Sequence, residues 1–264
     1  MDKPHLVMPD IAILPAHFPV PGVGYLPINA FVIKATEPVL VDTAMGIESE
    51  EFMNALWSII DPQDLKWVWL THDDADHTGN IQHVLGAAPS ARLAANSLAV
   101  LRMSTAWRVP MDRVSWLNPG DSISVGDRRL TAVRPPLYDN PTTIGIYDSK
   151  SEAFLSADCF GALIPSPAKN TDDIAEDDLT QGMVSWASGD NPWVHMVDPS
   201  LFSQALDRVR QLSPKIILSA HLPPALGKTM RLLELLATVP TSTPFVAPNQ
   251  MALEQILAEM KHGS

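Results

Sequence analysis

The sequence predicts an α/β fold in a single domain, on three observations. Short aliphatic and β-branched runs bounded by Gly, Pro, Asn or Asp alternate with stretches in helical spacing. No internal repeat and no long linker interrupts the 264 residues, a length that one α/β domain can reach. With 46% apolar and 18% charged residues, the chain can build a large core and is not disordered.

In chain order, residues 11–14, 28–33 and Val39–Val41 read as the strands of an opening hairpin and its neighbour. Residues 47–60 place Phe52, Met53, Leu56, Ile59 and Ile60 behind an acidic first turn, which is helical spacing. Residues 67–70 form an apolar strand that runs directly into Thr71-His72-Asp73-Asp74-Ala75-Asp76-His77. A helix is expected over 78–85, a strand over 91–94, a helix over 97–104, and strands over 122–125, 128–134, 143–148 and 153–157. Residues 166–198 are rich in Pro, Asp, Asn and Ser without sheet periodicity, and predict a long surface excursion with one helix. An amphipathic helix over 199–212, a strand over 216–218 and helices over 225–238 and 249–261 complete the chain.

The balance of 18 Lys+Arg against 30 Asp+Glu, a net charge of −12, works against phosphate backbones and anionic membrane surfaces, so neither nucleic acid nor membrane is an expected partner. The N-terminal stretch MDKPHLVMPDIAILPAH is broken by polar residues before it reaches signal-peptide length, and no run approaches the roughly 20 apolar residues that span a bilayer. Cys159 is the sole cysteine, which excludes an intrachain disulfide and a cysteine-based zinc cluster and fits a cytoplasmic setting.

His72, Asp74, Asp76 and His77 bring two imidazoles and two carboxylates together within six residues. On a helix, positions 72 and 77 would diverge by about 140°, whereas a loop at the end of a strand can aim all four at one point. An isolated Asp-Asp-X-Asp reads as a solvated turn. Flanked by histidines five apart after an apolar strand, it reads as a metal site.

The spacing H-x-D-x-D-H resembles the H-x-H-x-D-H signature of the metallo-β-lactamase superfamily, with Asp74 at the second histidine. A carboxylate there is more similar to the flavodiiron and oxygen-binding di-iron proteins, whose version is H-x-E-x-D-H. Gly24-Tyr25, Asn29-Ala30-Phe31-Val32-Ile33 and Val39-Leu40-Val41-Asp42-Thr43 resemble the opening strands of that family. Leu155-Ser156-Ala157-Asp158 resembles its bridging-aspartate strand, and Ile216-Ile217-Leu218-Ser219-Ala220-His221 its last ligand histidine. The resemblance covers nearly the whole chain and implies an αββα sandwich holding two metal ions, with a homodimer as the expected assembly.

The histidine that the family carries between the first motif and the bridging aspartate is missing, since none occurs between His83 and His195. Asp139 falls at its position, Tyr138 is the alternative donor, and a turn aspartate beside Asn140-Pro141 is the competing reading. The resemblance then implies His72, Asp74 and Asp139 on one ion, Asp76, His77 and His221 on the other, and Asp158 between them. Asp42 is expected to support a ligand, Cys159 to be a buried structural thiol, and His195 to pack or face solvent.

Four aspartates bring a charge of about −4, which weakens the electron withdrawal that a hydrolytic zinc site needs and suits iron or manganese. Iron is therefore favoured over manganese or zinc. The expected activity is O2 or NO binding or reduction, or oxidation of an organic substrate, with electrons from a separate donor because no flavin domain is legible in this chain. The alternative is a metallo-hydrolase acting on an ester, amide, lactone or phosphoester through a metal-bridging hydroxide. A metal-free binding module is the third reading.

Overall fold

A computed structural model describes residues 1–262. Strands β1 (His5–Met8), β2 (Ile11–Val20), β3 (Gly24–Ile33), β4 (Val39–Val41), β5 (Trp67–Trp69), β6 (Arg92–Ala95) and β7 (Val114–Trp116) form a seven-stranded sheet in that order. It is antiparallel from β1 to β4 and parallel from β4 to β7. Strands β8 (Ser122–Ser124), β9 (Arg129–Val133), β10 (Gly145–Asp148), β11 (Ala153–Leu155), β12 (Ile216–Leu218) and β13 (Ala225–Leu226) form the second sheet, ordered β13-β12-β11-β10-β9-β8. Only β11 and β12 run parallel in it.

Period-2 alternation builds the layers. Trp67, Trp69, Val39, Val41, Leu155, Ile216 and Leu218 fill the space between the sheets. On the opposite face of the first sheet, Leu40, Val68, Leu70 and Leu93 pack under α1 (Ser49–Trp57), α3 (Ile81–Ala87) and α4 (Ser97–Met103), α2 being the single turn Ala75–Thr78. On the opposite face of the second, Phe154 and Ile217 pack under α5 (Glu176–Asp190), α6 (Pro199–Leu212) and α7 (Thr229–Thr238), while α8 (Gln250–His262) ends the chain. The result is the αββα sandwich.

Two expectations are corrected, and two edge strands lie outside the sequence reading. Residues 166–178 run mostly exposed, as expected, but the one helix of the stretch is no surface element: α5 buries Leu179, Met183 and Ala187 in the outer core, with Gly182 set so close to the Leu163 carbonyl that a Cβ would sit 2.1 Å from its oxygen. The helix expected from 225 starts at Thr229, because Ala225–Leu226 pairs with β12 as β13. Strands β1 and β7, half-exposed at the sheet's two edges, lack the apolar continuity by which the inner strands are recognised.

A buried ion cluster closes the sandwich at the far end of β10. Arg128 reaches Asp148 at 2.9 Å and Asp10 at 2.5 Å, and Ser151 donates to the same Asp148 carboxylate at 2.7 Å. Three turns are thereby tied to one guanidinium.

Candidate metal centre

Four strands deliver the candidate ligands and their support at their carboxyl ends: the supporting Asp42 follows β4, residues 71–77 follow β5, Asp158 follows β11 and His221 follows β12. Because β4 and β5 are parallel, and β11 and β12 likewise, each pair empties onto the same edge of its sheet. Asn29 of β3 locks the two sheets together there, donating its amide to the carbonyls of Ser219 (3.1 Å) and Leu222 (2.9 Å) on either side of His221.

The motif itself is part loop and part helix. His72 and Asp74 lie on the extended stretch, whereas Asp76 and His77 occupy the single turn α2, which swings them back toward His72. Gly79 is required just beyond it, since a Cβ there would lie 2.1 Å from the Gly46 nitrogen and 2.5 Å from the Ala44 oxygen. Asp42, Ala44, Ala157 and Phe160 hold left-handed backbone, with φ of 58°, 51°, 54° and 70°. Such strained non-glycine positions cluster at functional sites.

All three histidines are oriented from behind. His77 Nδ1 donates to Asp42 at 2.9 Å, His221 Nδ1 donates to the Pro27 carbonyl at 2.8 Å, and His72 Nδ1 lies 3.1 Å from the Thr71 hydroxyl, which donates to Asp42. Each Nε2 consequently faces the centre. That of His77 lies 3.0 Å from Asp158 Oδ1 and 3.5 Å from Asp76, that of His221 3.2 Å from Asp158 Oδ1 and 3.4 Å from Asp76, and that of His72 3.3 Å from Asp158 Oδ2 and 3.8 Å from Asp74.

The three Nε2 atoms and Asp158 Oδ1 are buried without a hydrogen-bond partner in the structure. Leaving such an atom unsatisfied costs about 1–3 kcal/mol. Cations seated among them would satisfy all four, so the donors fit a metal centre.

The local field has the same shape. Burial opposes protonation of the imidazoles, yet Asp158 beside them outweighs it, raising His72, raising His77 further and bringing His221 to about 9. Burial likewise opposes ionisation of Asp158, and the three imidazoles overcome that and hold it well below the usual carboxylate range.

Asp139 joins the cluster and Tyr138 does not. One carboxylate oxygen of Asp139 lies within 4.8 Å of donor atoms of both His72 and Asp74. Burial, with the charges of Asp158 and Asp74, pushes its carboxyl up to about 6. Tyr138 stacks instead against Trp193 and under the Arg134 guanidinium. The adjacent Asn140 donates to Asp74 at 3.0 Å and to Asp73 at 3.3 Å. Asp73 also accepts from Thr142 and pairs with Arg102 at 2.9 Å, so the interleaved aspartate turns away from the centre and braces it.

Two residues absent from the sequence-derived site come from α5. The Trp186 ring lies 4.7 Å from that of His221, and its Nε1 donates to the Asp158 carbonyl at 3.3 Å. Asp190, the last residue of α5, places a carboxylate oxygen within 4.8 Å of oxygens of Asp139 and Asp158. Burial, followed by repulsion from those two, raises it to about 7. No motif marked either residue, because the helix that carries them lacks a periodic apolar stripe. Cys159 is buried, and burial pushes its thiol up to about 12, an inert structural thiol. His195 pairs with Ser188 at 2.7 Å and belongs to none of the candidate metal groups.

Comparison with known proteins agrees with this architecture. A "Putative diflavin flavoprotein A 1" of Thermosynechococcus vestitus is 29% identical over 135 residues, 51% of this chain and 24% of that protein. A "Nitric oxide reductase" of Moorella thermoacetica is 25% identical over 146 residues, 55% of this chain and 37% of that one. The chain thus spans a minor part of these relatives' length. The rubredoxin oxygen:oxidoreductase of Desulfovibrio gigas superposes with a TM-score of 0.80 at 17% identity, over 92% of this chain and 63% of that chain, which shows the shared fold. No described helix is long and apolar enough to cross a membrane. Residues 26–221, from the inner end of the first hairpin to the last candidate ligand, match the ODP family beta lactamase, and the chain belongs to that family.

Proposed function

We propose that this chain is a non-haem di-iron protein that binds or reduces O2 or NO, with electrons from a separate donor. The observation that carries the reading is the division of the donors into two sets, His72, Asp74 and Asp139 against Asp76, His77 and His221, each within 4.8 Å. Asp158 faces both, with Oδ2 toward His72 and Oδ1 toward His77 and His221. Two histidines with one carboxylate form a set suited to non-haem iron, and the carboxylate-rich partner set suits hard ions of higher oxidation state.

Bound between these sets, a reduced iron pair supplies electrons and open coordination positions for a diatomic molecule. The chain's own residues prepare that place. Asp42 and the Pro27 carbonyl fix the Nδ1–H tautomers of His77 and His221. Asn140 holds Asp74 in place, and Trp186 packs against the His221 ring. The names of the Moorella and Desulfovibrio relatives, which refer to nitric oxide and oxygen, support the same chemistry.

Elemental analysis of protein isolated without chelators, with optical spectra before and after reduction and re-exposure to air, tests the proposal. Two irons per chain with an oxygen-sensitive absorption band are expected. Two zinc ions with a spectrum indifferent to reductant contradict it and favour hydrolysis, and absence of stoichiometric metal contradicts both.

A further inference from the structure

We propose that Asp190 is an additional ligand of the ion held by His72, Asp74 and Asp139, reaching it from the side of Asp139 and Asp158. This inference rests on the two-ion reading above. Asp139, Asp158 and Asp190 each present a carboxylate oxygen, the three lying within 4.8 Å of one another. Donors on opposite sides of an ion bonded at about 2.1–2.4 Å stand about 4.2–4.8 Å apart, so this spread admits one ion between the three.

A cluster of acids alone can be a solvated patch, but this one is built on a buried member. Asp158 is only 5% exposed, its Oδ1 lacks a hydrogen-bond partner, and its Oδ2 faces the equally unpartnered, 1% exposed His72 Nε2 at 3.3 Å. Among the described residues, the only hydrogen bond that reaches the Asp190 carboxylate comes from the neighbouring Asn191 amide, at 2.8 Å to Oδ2. No arginine or lysine pairs with Asp139, Asp158 or Asp190 among the described residues. Asp139 is exposed and Asp190 half-buried, but Asp158 is buried, and three carboxylates this close, with no arginine or lysine among them, repel one another until a cation joins them.

The placement is structural, not accidental. α5 is anchored by Leu179, Met183 and Ala187 in the core and by Trp186 against the Asp158 carbonyl, so its terminal residue is delivered to the centre by a rigid element. One ion then takes a single nitrogen and as many as four carboxylates, whereas the other takes two nitrogens and two carboxylates. The carboxylate-rich position is the one expected to accept manganese as readily as iron.

The test compares metal uptake by the wild type, Asp190→Asn and Asp190→His after anaerobic loading with Fe(II) and dialysis, with near-UV circular dichroism as the check on folding. The wild type should retain two ions, the asparagine variant close to one with at least about tenfold weaker retention of the second, and the histidine variant two again, because imidazole replaces the lost donor. Undiminished retention by Asp190→Asn, or failure of Asp190→His to restore the second ion in a folded protein, overturns the proposal. Should neither variant fold, a structure of the metal-loaded wild type decides it: Asp190 bonded to an ion supports the assignment, and Asp190 beyond bonding distance of both ions rejects it. A wild type that takes up two zinc ions and no iron would contradict the iron reading while leaving this comparison intact, repeated with zinc.

Discussion

Asp42 Oδ2 lies 2.9 Å from Nδ1 of His77, and the same carboxylate accepts from the backbone and hydroxyl of Thr71, both at 2.8 Å. One residue at the end of β4 therefore sets the tautomer of a candidate ligand on the neighbouring strand's loop and, through Thr71, steadies His72. It does so from strained left-handed backbone at φ 58°.

Replacing Asp42 should accordingly damage metal binding without removing a ligand. Asp42→Ala is expected to weaken retention of the His77-bound ion by about 10–100-fold, the usual cost of losing a partner behind a ligating imidazole. Competition with a chromophoric chelator measures it, and retention equal to wild type would show that Asp42 supports only the loop.

Asn140 offers a parallel case on the other ion. Its amide bridges Asp73 and Asp74, and it accepts from Arg102 at 3.1 Å. Asn140→Ala should loosen Asp74, lower retention of the ion held by His72 by at least about tenfold, and leave the His77-bound ion in place. Loss of both ions together would instead indicate collapse of the loop.

The pH dependence of the chelated protein follows from the imidazoles and raised carboxyls. His221, with its folded value near 9 against an ordinary 6.5, stabilises the fold fully below about pH 6.5 and loses that contribution as pH rises through 9. Asp190, raised to about 7, and Asp139, raised to about 6, act in the same direction from about pH 4 upward. Denaturant titrations should show the chelated protein losing stability between about pH 5 and 9, and calorimetry should show proton release on metal binding at pH 7. Stability that rises across this window contradicts the assignment.

Arg128 tests the scaffold apart from the centre. With its side chain enclosed by Asp10, Asp127 and Asp148, truncation leaves the fully buried Asp148 carboxylate uncompensated. Arg128→Ala should cost about 3–5 kcal/mol, readable in urea unfolding, while metal stoichiometry is unchanged. A cost below about 1 kcal/mol would mean that water relieves the cluster.

The ligand-bearing strands were legible because strands covered on both faces read as unbroken apolar runs: Val39–Val41, Trp67–Trp69 and Ile216–Leu218 each stop at a chemically distinctive residue. The clustering of His72, Asp74, Asp76 and His77 was legible for the same reason, although α2 turned out to supply half of it. Asp139 emerged only by laying the missing histidine on a turn. α5 was hidden by its acidic first turn and by glycines that serve close packing, not periodicity. Asp190 sits in Gly189-Asp190-Asn191-Pro192, which reads as an ordinary turn until the fold carries it to Asp158. Strand β13 was lost because two residues of pairing are too few to show a period.

Mössbauer spectroscopy of protein reconstituted with 57Fe, recorded oxidised, reduced, and reduced then exposed to O2 or NO, tests the central claim most directly. A magnetically coupled pair of ferric ions that reduces to two ferrous ions and reacts on exposure to the gas is the expected result. Uncoupled, adventitious iron that is indifferent to both gases would contradict it.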